Sequence, residues 1–274
     1  MNLILLHGIV GFHSLFREGY MRHIGDFLQA EFASLPLRVL VPAAPPIASI
    51  ATRAKEIRKQ IEAAFATGKL DATADTRTHI FGHSMGGLDA RYLVSSATRM
   101  GLRRRIASVT LIGTPNHGTP VAEFFLGKLA DEPMRAATNA SGLGHSGLGA
   151  LRQVDVDLAG VRAITRQAMR DFNARVIDNA AVRYFCVAGV GRAGLLPTSN
   201  ALLPLHALTE WLSGERNDGF VPVSSAAWGS HPLEAWPADH GDLVGIDLNM
   251  PFANQPTIYA RYRKWVERIA GVEG

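Results

Sequence analysis

The chain has 274 residues with a formal charge of +4, and 47% of its residues are hydrophobic against 19% charged. That composition suits one folded domain with a sizeable core, and the single cysteine, Cys186, excludes an intrachain disulfide. The basic excess is arginine spread along the chain, densest at Arg103-Arg104-Arg105, without the interleaved aromatics of a nucleic-acid surface, so no nucleic-acid partner is expected.

Asn2–Leu6 is a continuous apolar run ended by His7-Gly8, the pattern of a central parallel strand buried on both faces. It is too short to span a bilayer and has no basic region before it. With no export signal as written, the chain is expected to be cytoplasmic and to have no transmembrane segment. Ile24, Phe27, Leu28 and Phe32 give a helical face, and Arg38–Val41 a short strand stopped by Pro42. Ser49 caps a helix with the stripe Ala54, Ile57, Ile61, Ala64 and Phe65. Ile80-Phe81 ends a third strand, Leu88 to Ala97 reads as a helix, and Ile106–Ile112 is a fourth strand. This alternation predicts an α/β fold with a mostly parallel central sheet flanked by helices.

After the turn cluster Gly113–Gly118, residues 119–175 carry no strand pattern. They hold an amphipathic piece, Val121–Leu129, with Phe124, Phe125 and Leu129 toward one side, a glycine-rich stretch at Gly142–Gly149, and a helix through Phe172. The segment is expected to be a helical lid or cap inserted in a single domain spanning residues 1–274, either mobile or fixed. Val182–Ala188 resumes the sheet, with Cys186 as a buried strand thiol. Gly189–Gly214 reads as loop with one short helical segment, and Ile258, Tyr262, Trp265, Val266 and Ile269 make a closing helix.

Within Thr78–Tyr92 lies Gly82-His83-Ser84-Met85-Gly86, a G-x-S-x-G between a strand and a helix. In that context the turn lifts a serine hydroxyl clear of the backbone beside a helix N-terminus, which favours developing negative charge. A serine needs a base, and the base a carboxylate, in the order serine, acid, histidine. Of the histidines after Ser84, His240 lies in a glycine-bearing loop near the end of the domain. His231 is the next candidate, His145 belongs to the insertion, and His117 suits the pocket wall. Asp218, in Asn217-Asp218-Gly219, is the favoured acid, with Asp239 close enough to replace it in part. An oxyanion needs two backbone donors, and Met85 and Ile9 are placed to supply them.

With these residues assembled, the chain resembles the bacterial triacylglycerol lipases of the α/β-hydrolase superfamily, in particular the group related to secreted Gram-negative lipases. The resemblance covers most of the chain outside the insertion. It is carried by Leu5–Phe12, by His83–Gly87 followed by Ala90-Arg91-Tyr92, and by Asn116-His117-Gly118. Asn217–Val221 and Asp239-His240 followed by Asp242 complete it. It implies an α/β-hydrolase fold and a serine ester hydrolase with Ser84, Asp218 and His240 as triad and Ile9 and Met85 as oxyanion hole. His117, Phe124 and Phe125 would line the pocket, and because the apolar insertion can wall an acyl chain the expected substrates are medium- to long-chain acyl esters, with transient lipid-interface contact and no cofactor. The alternatives are a short-chain esterase or thioesterase, or a non-catalytic relative that binds an acyl ligand. The family's calcium site uses an aspartate before the acid motif, where this chain has Leu203, and another at Asp242. No tightly bound metal is therefore expected, with Leu203 packing under the histidine loop instead.

Overall fold

The computed structural model describes residues 1–9, 20–46, 48–96, 106–130, 159–191, 202–246 and 255–271. Outside them lie Gly11 and Phe12, Ala97, Arg103–Arg105, Gly142–Gly149 with His145, and Asn200-Ala201, together with the side chain of Leu129.

Among the described residues six strands form one wholly parallel sheet in the order β2-β1-β3-β4-β5-β6. They are β1 (Asn2–Leu6), β2 (Arg38–Leu40), β3 (Thr78–His83), β4 (Ile106–Ile112), β5 (Arg183–Gly189) and β6 (Glu234–Trp236). Every residue of β1 is buried, as a strand covered on both faces requires. Successive side chains point to opposite faces, so one apolar run feeds two cores. Leu3, Leu5, Phe81, Ile112 and Phe185 pack with helix α1 (Arg22–Glu31) and the closing helix α9 (Gln255–Ala270). Ile4, Leu6, Ile80, Val109 and Cys186 pack on the other face with α2 (Ile50–Ala66) and α3 (Met85–Val94). Ser49 caps α2 by accepting from the Thr52 N–H.

Between β4 and β5, the described residues form α4 (Pro120–Ala130), α5 (Ala159–Ala163) and α6 (Arg166–Arg175). α6 is tied back to α4 through Arg166 and Glu123. After β5 come α7 (Leu203–Ser213) and the short α8 (Val223–Ala226). α7 is a full eleven-residue helix where the sequence suggested a short one. Its Pro204 sits in the first turn, where a missing N–H costs nothing. β6 had no sequence signal, because two of its three residues are exposed at the sheet edge. Among the described residues no helix is long and apolar enough to cross a membrane.

Candidate active site

The carboxyl ends of the parallel strands converge on one place, where open α/β sheets put their sites. β3 runs into Ser84, which has φ 54° and ψ −129°, the only positive φ among the described non-glycine residues. Such a conformation costs on the order of 1–3 kcal/mol and persists only when its surroundings hold it. Here the Ser84 N–H donates to the Ile112 carbonyl at 2.8 Å, and the Ser84 carbonyl accepts from the Gly87 N–H at 3.0 Å. The turn is so tight that a Cβ on Gly86 would stand 2.4 Å from the Leu6 carbonyl oxygen. From the β1 side, a Cβ on Gly8 would come within 2.5 Å of the Ser84 Cβ, which places the His7-Gly8-Ile9 loop directly against the serine.

Asp218 is fully buried and sits in an Asx turn, its Oδ1 accepting from the N–H groups of Phe220 (2.9 Å) and Val221 (2.7 Å). Its Oδ2 lies 2.7 Å from His240 Nδ1, and its carbonyl accepts from the His240 N–H at 2.7 Å. Acid and histidine are thus tied by side chain and main chain at once. Gly113, which follows β4, touches both: a Cβ there would lie 3.1 Å from Asp218 Oδ2 and 3.4 Å from His240 Nδ1. Burial works against a charged His240, but the charge and hydrogen bond of Asp218, then the charge of Asp239, outweigh it and raise the imidazole pKa. Asp239 is buried with its Oδ1 accepting from the Asp242 N–H at 2.8 Å, which caps the next turn.

Ser84 stands at the junction of β3 and α3, against the Gly8 loop on one side, and its neighbour His83 reaches the His240 carbonyl at 3.0 Å on the other. The Gly8 amide is committed to the Tyr20 hydroxyl (2.6 Å). Sequence reasoning missed the clamp beneath this loop. Arg53, fully buried on α2, donates to the His7 carbonyl (2.6 Å), the Pro45 carbonyl (2.9 Å) and Asp89 on α3 (2.8 Å). It also missed Tyr20, His83 and Phe220, whose ring lies 5.2 Å from that of His240. Phe220 and His83 stood within the quoted motifs but had no signal of their own. Phe124 and Phe125 are half-buried on α4, edge to face at 6.0 Å. His117 is exposed, with its ring 5.5 Å from Trp228. His231 is partly buried, its ring 4.4 Å from that of Phe185, a member of the α1/α9-side core.

At the calcium position that the resemblance implies stand Leu203 and Asp242. Leu203 brings no side-chain oxygen, and Asp242 Oδ2 accepts from the Asp239 N–H at 3.4 Å. Among the described residues no group of three or more His, Cys, Asp or Glu could hold a metal. Leu203 itself is only half-buried; its neighbour Leu202 is the buried one, packed 3.7 Å from where a Cβ on Gly219 would stand.

A parallel sheet with a strained serine turn at its centre, and beside it a buried aspartate paired with a partly exposed histidine, defines a hydrolase of the α/β class. Residues 2–162 match the family described as alpha/beta hydrolase fold, and the chain belongs to that family. A triacylglycerol lipase of Pseudomonas fragi is 28% identical over 268 residues, covering 88% of this chain and 87% of the relative. A triacylglycerol lipase of Vibrio cholerae is 24% identical over 288 residues, covering 95% of this chain and 85% of its own length. The crystal structure of Staphylococcus hyicus lipase superposes with a TM-score of 0.65 at 17% identity, covering 99% of this chain and 96% of that one. With lipases among its relatives along most of its length, the chain is a carboxylic ester hydrolase.

Proposed function

We propose that the chain cleaves medium- to long-chain acyl esters, triacylglycerols among them, with Ser84 as nucleophile, His240 as base and Asp218 as the carboxylate that orients it. The observation that carries this reading is the 2.7 Å contact between Asp218 Oδ2 and His240 Nδ1 beside the strained Ser84 turn. With Nδ1–H donating to the carboxylate, Nε2 keeps its lone pair and takes the Ser84 proton as Oγ attacks the ester carbonyl carbon. The carbonyl oxygen becomes an oxyanion held by the Ile9 and Met85 N–H groups. As the carbon–oxygen bond breaks, His240 returns the proton to the leaving alkoxide. Water then attacks the acyl-enzyme, giving its proton to His240, which passes it to Ser84 as the acid leaves.

We assign the acyl-binding wall to His117, Phe124 and Phe125, and treat residues 119–175 as a lid inserted in one domain. Transient contact with a lipid surface is part of this reading, and the half-buried aromatics of α4 and Trp211, 78% exposed on the adjoining helix α7, are in keeping with it. Both relatives named above are called triacylglycerol lipases, in keeping with such substrates. The test is a chain-length series of nitrophenyl esters beside emulsified triglyceride, with Ser84→Ala and phosphonate-treated enzyme as controls. Turnover confined to acetyl and butyryl esters would make this a short-chain esterase. Turnover that survives in Ser84→Ala would remove the mechanism.

A further inference from the structure

Two buried side chains with no part in the bond-making steps connect the pieces that take part. The Gly8 amide can only donate, so the Tyr20 oxygen accepts from it at 2.6 Å and turns its own proton to His83 Nδ1 at 2.7 Å. The His240 carbonyl can only accept, so His83 Nε2, at 3.0 Å, carries the hydrogen. Both ends of the chain are backbone groups, and together they select one neutral tautomer of His83. Burial first, and the neighbouring His240 charge second, hold this imidazole well below the ordinary histidine range. The rings reinforce the path, Tyr20 edge-on to His83 at 5.5 Å and His83 at 4.6 Å from His240. The path starts at the amide preceding Ile9, passes through the residue preceding Ser84, and ends on the backbone of His240.

We propose that Tyr20 and His83 are positioning residues whose hydrogen-bonded chain sets the Ile9 oxyanion donor and the His240 base in one register about Ser84. The proposal rests on the catalytic reading above. Catalysis falls steeply when donors and base are displaced from the reacting atoms, and a buried hydrogen-bond chain between backbone groups resists such displacement.

Tyr20→Phe keeps the ring and removes only the hydroxyl, leaving the Gly8 N–H and His83 Nδ1 without it. On a soluble nitrophenyl ester, kcat per phosphonate-titrated site should fall about 10–100-fold, with KM within about twofold, because the loss is felt in the transition state. His83→Phe should lose a similar factor, and the double variant should be no worse than the more damaged single, since both cut one chain. If His83→Phe does not fold, His83→Gln takes its place in the same cycle. The proposal is overturned if kcat per titrated site in Tyr20→Phe stays within about twofold of the parent, whatever happens to Tm. It is overturned equally if the two losses multiply. Ser84→Ala separates the two levels: an active Ser84→Ala sinks the catalytic reading, while an inactive one beside an unimpaired Tyr20→Phe sinks the relay alone.

Discussion

Replacing Asp218 by asparagine changes a single atom in the buried turn. Oδ1 holds the turn by accepting from Phe220 and Val221, and asparagine's own oxygen fills that role. A flipped amide would set its NH2 against two N–H donors, so only one orientation fits. The NH2 then faces His240 Nδ1 at the 2.7 Å position. Two donors cannot share that contact, so the imidazole shifts its hydrogen to Nε2 and has no lone pair for Ser84. Loss of the base's tautomer and of its stabilising charge should lower kcat by about 10⁴-fold, or roughly 5.5 kcal/mol of barrier. Asp218→Ala should be as inactive, and it should also leave the buried Val221 N–H without its acceptor, at about 1–3 kcal/mol, and the part-buried Phe220 N–H at less. Nitrophenyl-ester turnover and calorimetric Tm on the two variants separate the catalytic from the structural part of Asp218. If Asp218→Asn kept more than about a tenth of parental kcat, the tautomer argument would be wrong.

Ser84→Ala should lose about 10⁴-fold or more in turnover and all phosphonate labelling while Tm holds or rises, as measured by single-site titration and calorimetry. Burial, then the charges of Arg183 and Arg77, push His79 on β3 down to about 4 from 6.5. The unfolded chain therefore takes a proton first, so this share of stability is present above pH 6.5 and is lost as pH falls through about 4. The linkage is worth about 3 kcal/mol. His79→Asn, which can still accept from Ser108, should flatten the acid transition followed by circular dichroism; an unchanged transition refutes it. Because Leu203 offers no oxygen, activity and Tm should be unmoved by EDTA, and micromolar calcium binding abolished by Asp242→Ala would refute that. Activity should climb disproportionately once substrate passes its solubility limit, and a hyperbolic profile through that point would favour a plain esterase.

What the sequence made legible follows from how local each signal is. β1, α2 and the serine turn are written in contiguous residues, through apolar run, cap and spacing, and the fold has them within a few positions. α3 begins at Met85, three residues before the start suggested by Leu88, because Gly86 and Gly87 contribute no apolar periodicity while forming helix. Asp218 and His240 stood out through motif order, yet nothing in sequence spacing announced that the main chains of the two residues also bond to each other. Tyr20 and His83 are 63 positions apart, and Arg53 reaches Asp89 across 36. Each of these side chains is ordinary in its own segment; its role exists only once two strands and a helix bring it to its partner.

The same long-range contacts explain how the centre holds a conformation that the local chain would reject. Left to itself, Ser84 would relax from its positive φ, a gain of on the order of 1–3 kcal/mol. Relaxation would break the bond from its amide to Ile112 and move Gly86 relative to the end of β1, where no room exists. Arg53 prevents the β1 end from yielding in turn, because its guanidinium is fully buried and already shared among His7, Pro45 and Asp89. Withdrawing any one acceptor would leave a buried charge short of partners, which costs far more than the strain it would relieve. The serine turn and the oxyanion loop are therefore braced against each other, and the strain is retained because every route to its release begins with a larger loss.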